Sequence, residues 1–201
     1  FCMCFFSGVA LAQKSPYNAT KDYIDNVMQT FLDYNICGEK EISPEKKEKF
    51  REKLSTMAAN IFDFDYMCRK AVGPYWRVFT EKQREQAVSL FTELLETNYF
   101  GKMMEQLQDV QNLCRENIQV LGQEMLTENK AKVNSIIVYK DNKFPVNYMM
   151  RLNGSKWQIY DVEIEGVSLI NNYSSQFRDI LGRKKPEGFL EQLKNKVQEK
   201  K

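Results

Sequence analysis

The chain has 201 residues, and its 29 Lys and Arg against 27 Asp and Glu leave a formal charge of +2, without the electrostatic excess of a nucleic-acid binder. Apolar residues make up 43% and aromatics 12%, a globular composition sized for a single core that can tolerate an internal cavity. Histidine is absent, which excludes Ser-His-Asp and Cys-His nucleophiles, histidine-bearing metal sites and an imidazole proton shuttle.

The first twelve residues are uncharged and close on Ala10-Leu11-Ala12, with the small residues a signal peptidase requires, so residues 1–12 read as the remnant of a signal peptide cut after Ala12. Export leaves Cys37, Cys68 and Cys114, an odd number without a CxxC pair, which is no disulfide scaffold; Cys68 reads as a small buried residue.

From Thr20 the residues Ile24, Val27, Met28, Phe31 and Leu32 recur at helical spacing, with Thr20 or Asp22 as the N-cap. Ser43-Pro44 opens a second helix carrying Phe50, Leu54, Met57 and Ile61 on one face. Its charges are mixed in sign, as on a solvated surface. Asp63 caps a third helix, with Phe62 and Met67 spaced as a hydrophobic staple. Gly73-Pro74 breaks it, Tyr75 to Phe79 form a short segment, and Thr80-x-x-Gln83 is a capping box for a long fourth helix. A fifth helical region spans Met103 to Cys114.

Beyond residue 115 the period falls from 3.6 to 2. Ile118 to Met125, Ala131 to Lys140, Phe144 to Leu152 and Lys156 to Ile164 alternate as four strands, and Asn153-Gly154 is a hairpin turn. Helical spacing returns after Gly166, where Ser168 is the N-cap, and again from Pro186 to Val197. These segments give an α+β fold: a curved antiparallel four-stranded meander wrapped by about seven helices, one domain over residues 13–201, helical over 17–114, sheet over 117–165 and helical over 168–199.

Chemistry is scarce. Glycine-rich phosphate loops and EF-hand spacings are absent, and no cofactor is indicated. Gly166-Val167-Ser168 imitates a nucleophile elbow but lacks the second glycine and a base. Tyr160 and Asp161 imitate an acid/base pair, yet strand alternation puts them on opposite faces. What the sequence does supply is apolar bulk: Phe62, Phe64, Met67, Tyr75, Trp76, Phe79, Phe91, Tyr99, Tyr148, Met150, Trp157, Tyr160, Tyr173 and Phe177 exceed a minimal core, and the surplus suits an apolar-ligand pocket.

The run Phe62-Asp63-Phe64-Asp65-Tyr66-Met67 through Ala71-Val72-Gly73-Pro74-Tyr75-Trp76-Arg77, and above all Trp157-Gln158-Ile159-Tyr160-Asp161-Val162-Glu163-Ile164-Glu165-Gly166-Val167-Ser168 through Tyr173 with Gln176-Phe177, resembles the MlaC (toluene-tolerance) family of periplasmic phospholipid-binding proteins. The resemblance runs from about Tyr17 to the end. It implies no enzyme but a soluble periplasmic carrier of a Gram-negative bacterium. Such a carrier shuttles phospholipid between an outer-membrane lipoprotein complex and an inner-membrane ABC transporter with lipid-binding substrate domains, and so contributes to outer-membrane lipid asymmetry. The acyl-chain lining is then expected from Tyr75, Trp76, Phe79, Phe91, Tyr148, Trp157, Tyr160, Val162, Val167, Leu169 and Tyr173, with Arg77 facing the phosphate and Gly73-Pro74 and Gly166 as hinges. The stretch Arg183 to Lys201, seven basic against three acidic residues, offers a surface for acidic partners or headgroups. A hopanoid or other polycyclic lipid is the alternative cargo; a small cone-shaped isomerase or hydratase, or an interaction module with a solid core, are the alternatives of other classes.

Overall fold

A computed structural model describes residues 14–36, 42–101, 117–139 and 142–199. The signal-peptide reading of residues 1–12, Cys37, Cys114 and the helical reading of Met103 to Cys114 lie outside them.

Four α-helices come first. Helix α1 (Pro16–Asp33) is capped by Ser15, whose hydroxyl accepts from the Asn18 amide, with Pro16 at its first position. It therefore begins one turn ahead of the predicted Thr20 or Asp22. Ser43 caps α2 (Pro44–Ile61) and Asp63 caps α3 (Phe64–Val72), both as the sequence predicts. Gly73 ends α3 at a φ of +62°, a conformation that favours glycine, and a 3-10 helix (Gly73–Val78) follows. Helix α4 (Glu81–Leu95) starts in the complete Thr80–Gln83 capping box and loosens into a π-helical turn over Glu96–Gly101.

The sheet is an antiparallel meander in the order β1-β2-β3-β4-β5, built from β1 (Ile118–Thr127), β2 (Lys130–Tyr139), β3 (Asn142–Asn153), β4 (Lys156–Ile164) and β5 (Val167–Ser168). Helices α5 (Leu169–Leu181), capped by Ser168, and α6 (Pro186–Gln198) complete the domain. The four strands and about seven helices expected are thus five strands and six α-helices among the described residues. The extra strand is two residues long, too short to show a period of two. It forms because Glu165 and Gly166, at φ of +51° and +82°, turn the chain tightly back on β4.

Tyr160 is the extra residue of a bulge in β4, where Met149 pairs with Asp161 but Met150 pairs with Ile159. Trp157, Ile159 and Val162 consequently share a face with Tyr148, Met150 and Leu152 of β3. Helices α1 and α2 cover that face, packing Ala19, Ile61, Met150, Trp157 and Ile159 together. The bulge turns Tyr160 and Asp161 away from it, which corrects the expectation that the two side chains lie on opposite faces.

Tyr160 instead joins the second core, the layer α3, α4, α5 and α6, where Phe91 stands edge-on to Tyr173 at 5.2 Å and to Phe177 at 5.6 Å. Cys68 is free and fully buried there, and burial pushes its thiol up, so it is a packing residue. Beside this core Arg151 lies over the Tyr66 ring at 4.4 Å and reaches the buried Asp63 carboxylate at 3.0 Å. Lys130 donates to the Tyr66 hydroxyl, which lowers the phenol's pKa.

Candidate functional site

The two cores leave a gap at the edge of β4. Phe62 emerges from the end of α2 beside that strand, its backbone bridged to Ile159 in a parallel pairing and the next amide, of Asp63, donating to the Ile159 carbonyl at 2.9 Å. The Asp63 cap sets α3 at an angle from this point, so Phe64 and Met67 turn toward the gap, Phe64 stacked on Phe62 at 5.7 Å.

Across from them the end of α4 and the π-helical turn supply Leu95, Glu96 and Tyr99, while β4 supplies Val162 and Ile164. The tight turn to β5 adds Val167 and Ser168, and the first turn of α5 adds Leu169 and Asn172. Together these residues enclose a hollow of about 340 Å³ with almost wholly apolar walls. At its rim Tyr99, Ile164 and Val167 are 46%, 49% and 66% exposed, so the apolar lining continues out to solvent.

The corner that shapes the hollow is held by Asp161. Its buried carboxylate accepts from the Ser168 hydroxyl at 2.6 Å, from the Ile170 amide at 3.0 Å and from the Val162 amide at 2.9 Å. It thereby fixes β4, β5 and the N-terminus of α5 to one another, with the negative charge at the favourable helix end. With its oxygens committed and its side chain off the lining, Asp161 is not poised to take a proton from a ligand. Ser168 serves as the α5 cap, its hydroxyl accepting from the Asn171 amide, so neither the elbow nor the Tyr160–Asp161 pair is assembled as chemistry.

Electrostatically the hollow is nearly silent. Glu96 is the charged side chain among its described lining residues, and it accepts a hydrogen bond from the Ser55 hydroxyl. Burial pushes the Tyr99 phenol up to about 12, and burial likewise raises Tyr173, which accepts from the Asn98 amide nitrogen at 2.9 Å.

A second, smaller hollow of about 190 Å³ lies under α1, between Thr20, Tyr23, Ile24, Val27 and Met28 on one side and Tyr148, Ile159 and Ile118 on the other. Phe62 belongs to the walls of both.

Of the residues expected to line a pocket, Val162, Val167 and Leu169 border the larger hollow and Tyr148 the smaller. Phe79, Phe91, Tyr160 and Tyr173 lie in the closed helical core, Tyr75 and Trp76 pack against its outside, and Trp157 is in the core under α1 and α2. None of these seven lines either hollow. Arg77 is exposed on the 3-10 helix, away from the lining; Arg84 donates to the Trp76 carbonyl instead. The sequence reading did not assign Leu95, Glu96, Ile164 or Asn172 to the site, and it counted Phe62, Phe64, Met67 and Tyr99 only as apolar bulk. The signal for Phe62, Phe64 and Met67 was present, since the Phe62–Met67 staple marks a chain entry where side chains converge; Tyr99 had no such local signal.

No curated protein matches the chain. Among solved structures, the phospholipid-binding protein from Ralstonia solanacearum in complex with a phospholipid superposes with a TM-score of 0.74 at 20% identity, covering 92% of this chain and 98% of that one. That likeness establishes the fold. A family model described as MlaC protein matches residues 21–195, a span that takes in the larger hollow and all of the smaller one's lining but Thr20, and the chain accordingly belongs to the MlaC family.

Proposed function

We propose that the protein is a soluble periplasmic carrier that holds phospholipid by its acyl chains in the larger hollow. It passes the lipid between an outer-membrane lipoprotein complex and an inner-membrane ABC transporter bearing lipid-binding substrate domains, and in doing so helps maintain lipid asymmetry of the outer membrane. The observation that carries this reading is the apolar hollow of about 340 Å³ whose lining continues into exposed Tyr99, Ile164 and Val167. Such a shape accepts a greasy chain end-on while its polar head stays in water. The acyl-chain lining is assigned to Val162, Val167 and Leu169, with Phe64, Met67 and Leu95 completing it. The Ralstonia solanacearum structure, of the same fold, is a complex with a phospholipid, which supports the same ligand class here.

A methylene occupies about the volume of a water molecule, ~30 Å³, so the hollow takes roughly 11 of them, worth on the order of 9 kcal/mol gross at ~0.8 kcal/mol each. A membrane offers a tail nearly the same refuge. Net transfer is then close to balanced, and direction is set by the transporter's ATP use. No helix among the described residues is long and apolar enough to cross a membrane. The alternative of an isomerase or hydratase finds no support in the site, where the Asp161 carboxylate is a structural anchor.

Vesicle-to-vesicle transfer of a fluorescent, self-quenched phosphatidylethanolamine tests the proposal. Micromolar protein is expected to raise the transfer rate at least tenfold over vesicles alone, and Leu169→Arg to abolish most of that gain while preserving helix content by circular dichroism. Transfer no faster than the background, or undiminished by Leu169→Arg, overturns it.

A further inference from the structure

We propose that Phe62 sets how many acyl chains the protein accepts, its ring being the partition between a first-chain hollow and a second-chain hollow. The inference rests on the carrier reading of the larger hollow. Its own support is the position of this one side chain, which lines both hollows and packs against both hydrophobic cores.

The smaller hollow is built for hydrocarbon. Charged side chains are absent from its described lining, and its hydroxyls are committed elsewhere: Thr20 donates to the Pro16 carbonyl at 2.9 Å and Tyr23 to the Trp157 carbonyl. Burial pushes the Tyr148 phenol up, so it too stays neutral. A headgroup would find no partner there, whereas a tail would meet Val27, Ile24 and Ile159.

Volume decides the chain count. At ~30 Å³ per methylene the larger hollow takes roughly 11 and the smaller roughly 6. One tail of common length, about 15 methylenes, fills the larger hollow and leaves about four at its exposed rim. Two tails, about 30, exceed it nearly threefold and must draw on the smaller hollow and on further expansion. Phe62 is the residue the two linings share, so its side chain stands between them.

The ring, stacked on Phe64 at 5.7 Å, is held by side-chain packing alone, whereas its backbone is fastened by hydrogen bonds. The Phe62 amide donates to the Ala58 carbonyl at 2.8 Å, its carbonyl accepts from the Gln158 side chain at 3.3 Å, and the Asp63 amide is fastened to β4. Rotation about the side-chain bonds therefore opens the partition without unwinding α2 or detaching β4. Single-chain lipids bind with the partition closed, and two-chain lipids displace it.

The experiment loads delipidated full-length protein with 1-palmitoyl-lysophosphatidylethanolamine or with 1-palmitoyl-2-oleoyl-phosphatidylethanolamine and reads occupancy by native mass spectrometry. Phe62→Trp, which thickens the partition, and Val27→Phe, which fills the smaller hollow from α1, are each expected to lower the ratio of two-chain to one-chain loading about tenfold. Phe62→Ala is expected to speed two-chain uptake several-fold, and it and Val27→Phe keep the comparison decisive should Phe62→Trp fail to fold. Wild-type protein that takes both lipids, with ratios and rates unmoved by the variants or both lipids falling together, overturns the partition and leaves the carrier standing. Wild-type protein that takes neither lipid overturns the carrier reading, and the partition with it.

Discussion

Val162→Phe separates a hollow kept open for a ligand from one that is merely imperfect packing. Val162 sits on β4 with its side chain in the wall of the larger hollow, partly buried and outside the closed helical core. Phenylalanine adds four carbons and no hydrogens, about 50 Å³, roughly a seventh of the 340 Å³ available, and a strand position tolerates an aromatic ring. The added volume displaces about two methylenes of lipid, a loss on the order of 1.6 kcal/mol at ~0.8 kcal/mol per methylene, or about tenfold in affinity. The same carbons bury apolar surface in the empty protein, so its stability holds or rises by up to ~1 kcal/mol. Binding and stability thus move in opposite directions. Displacement of a fluorescent fatty acid by phospholipid reads the first, and urea unfolding of delipidated protein reads the second. An affinity within threefold of wild type, or a fall in binding matched by a fall in stability, refutes the reasoning.

Three further changes probe what surrounds the hollow. Asp161→Ala removes three hydrogen bonds to a buried carboxylate and is expected to cost about 3–5 kcal/mol in urea unfolding, with Asp161→Asn losing less; a cost below about 1 kcal/mol contradicts the anchoring role. Arg151→Met leaves the buried Asp63 carboxylate without its cation and is expected to cost about 2–3 kcal/mol, part of which Asp63→Asn restores; additive losses in the double variant would show the pair is not coupled. Tyr99, whose phenol is held up at about 12, contributes stability that is complete below the ordinary tyrosine pKa of about 10 and disappears as pH rises toward 12, because the unfolded chain gives up the proton first. Wild type should therefore lose stability relative to Tyr99→Phe across pH 10 to 12, and a difference that does not change with pH contradicts the assignment.

Helix boundaries were legible where their signal is local. Ser43-Pro44, Asp63, the Thr80–Gln83 box and Ser168 each satisfy orphan amides within three residues, so a few letters specify them. The bulge at Tyr160 was not legible, because it depends on Asp161 reaching Ser168 and Ile170, seven and nine residues on, and on the register with β3. The wall of the larger hollow was legible at the β4–β5–α5 corner, through Val162, Val167 and Leu169.

The aromatic residues misdirected the rest. Phe91, Tyr173 and Phe177 are large and apolar like pocket residues, but Phe91 meets the other two edge-to-face and they tilt against each other in a filled layer, and composition does not distinguish a ring that meets a ring from a ring that meets a gap. The gap is a property of how α3 leaves Phe62 and how α4 loosens at Glu96, both set by tertiary packing.

The central claim, an apolar hollow that carries phospholipid tails, is tested most directly by native mass spectrometry of the protein purified without detergent from a bacterial periplasm. A population heavier than the polypeptide by the mass of one diacyl phospholipid is expected, released by organic extraction and identified by its acyl fragments. Protein that is empty throughout, and that stays empty after incubation with phospholipid vesicles, contradicts it.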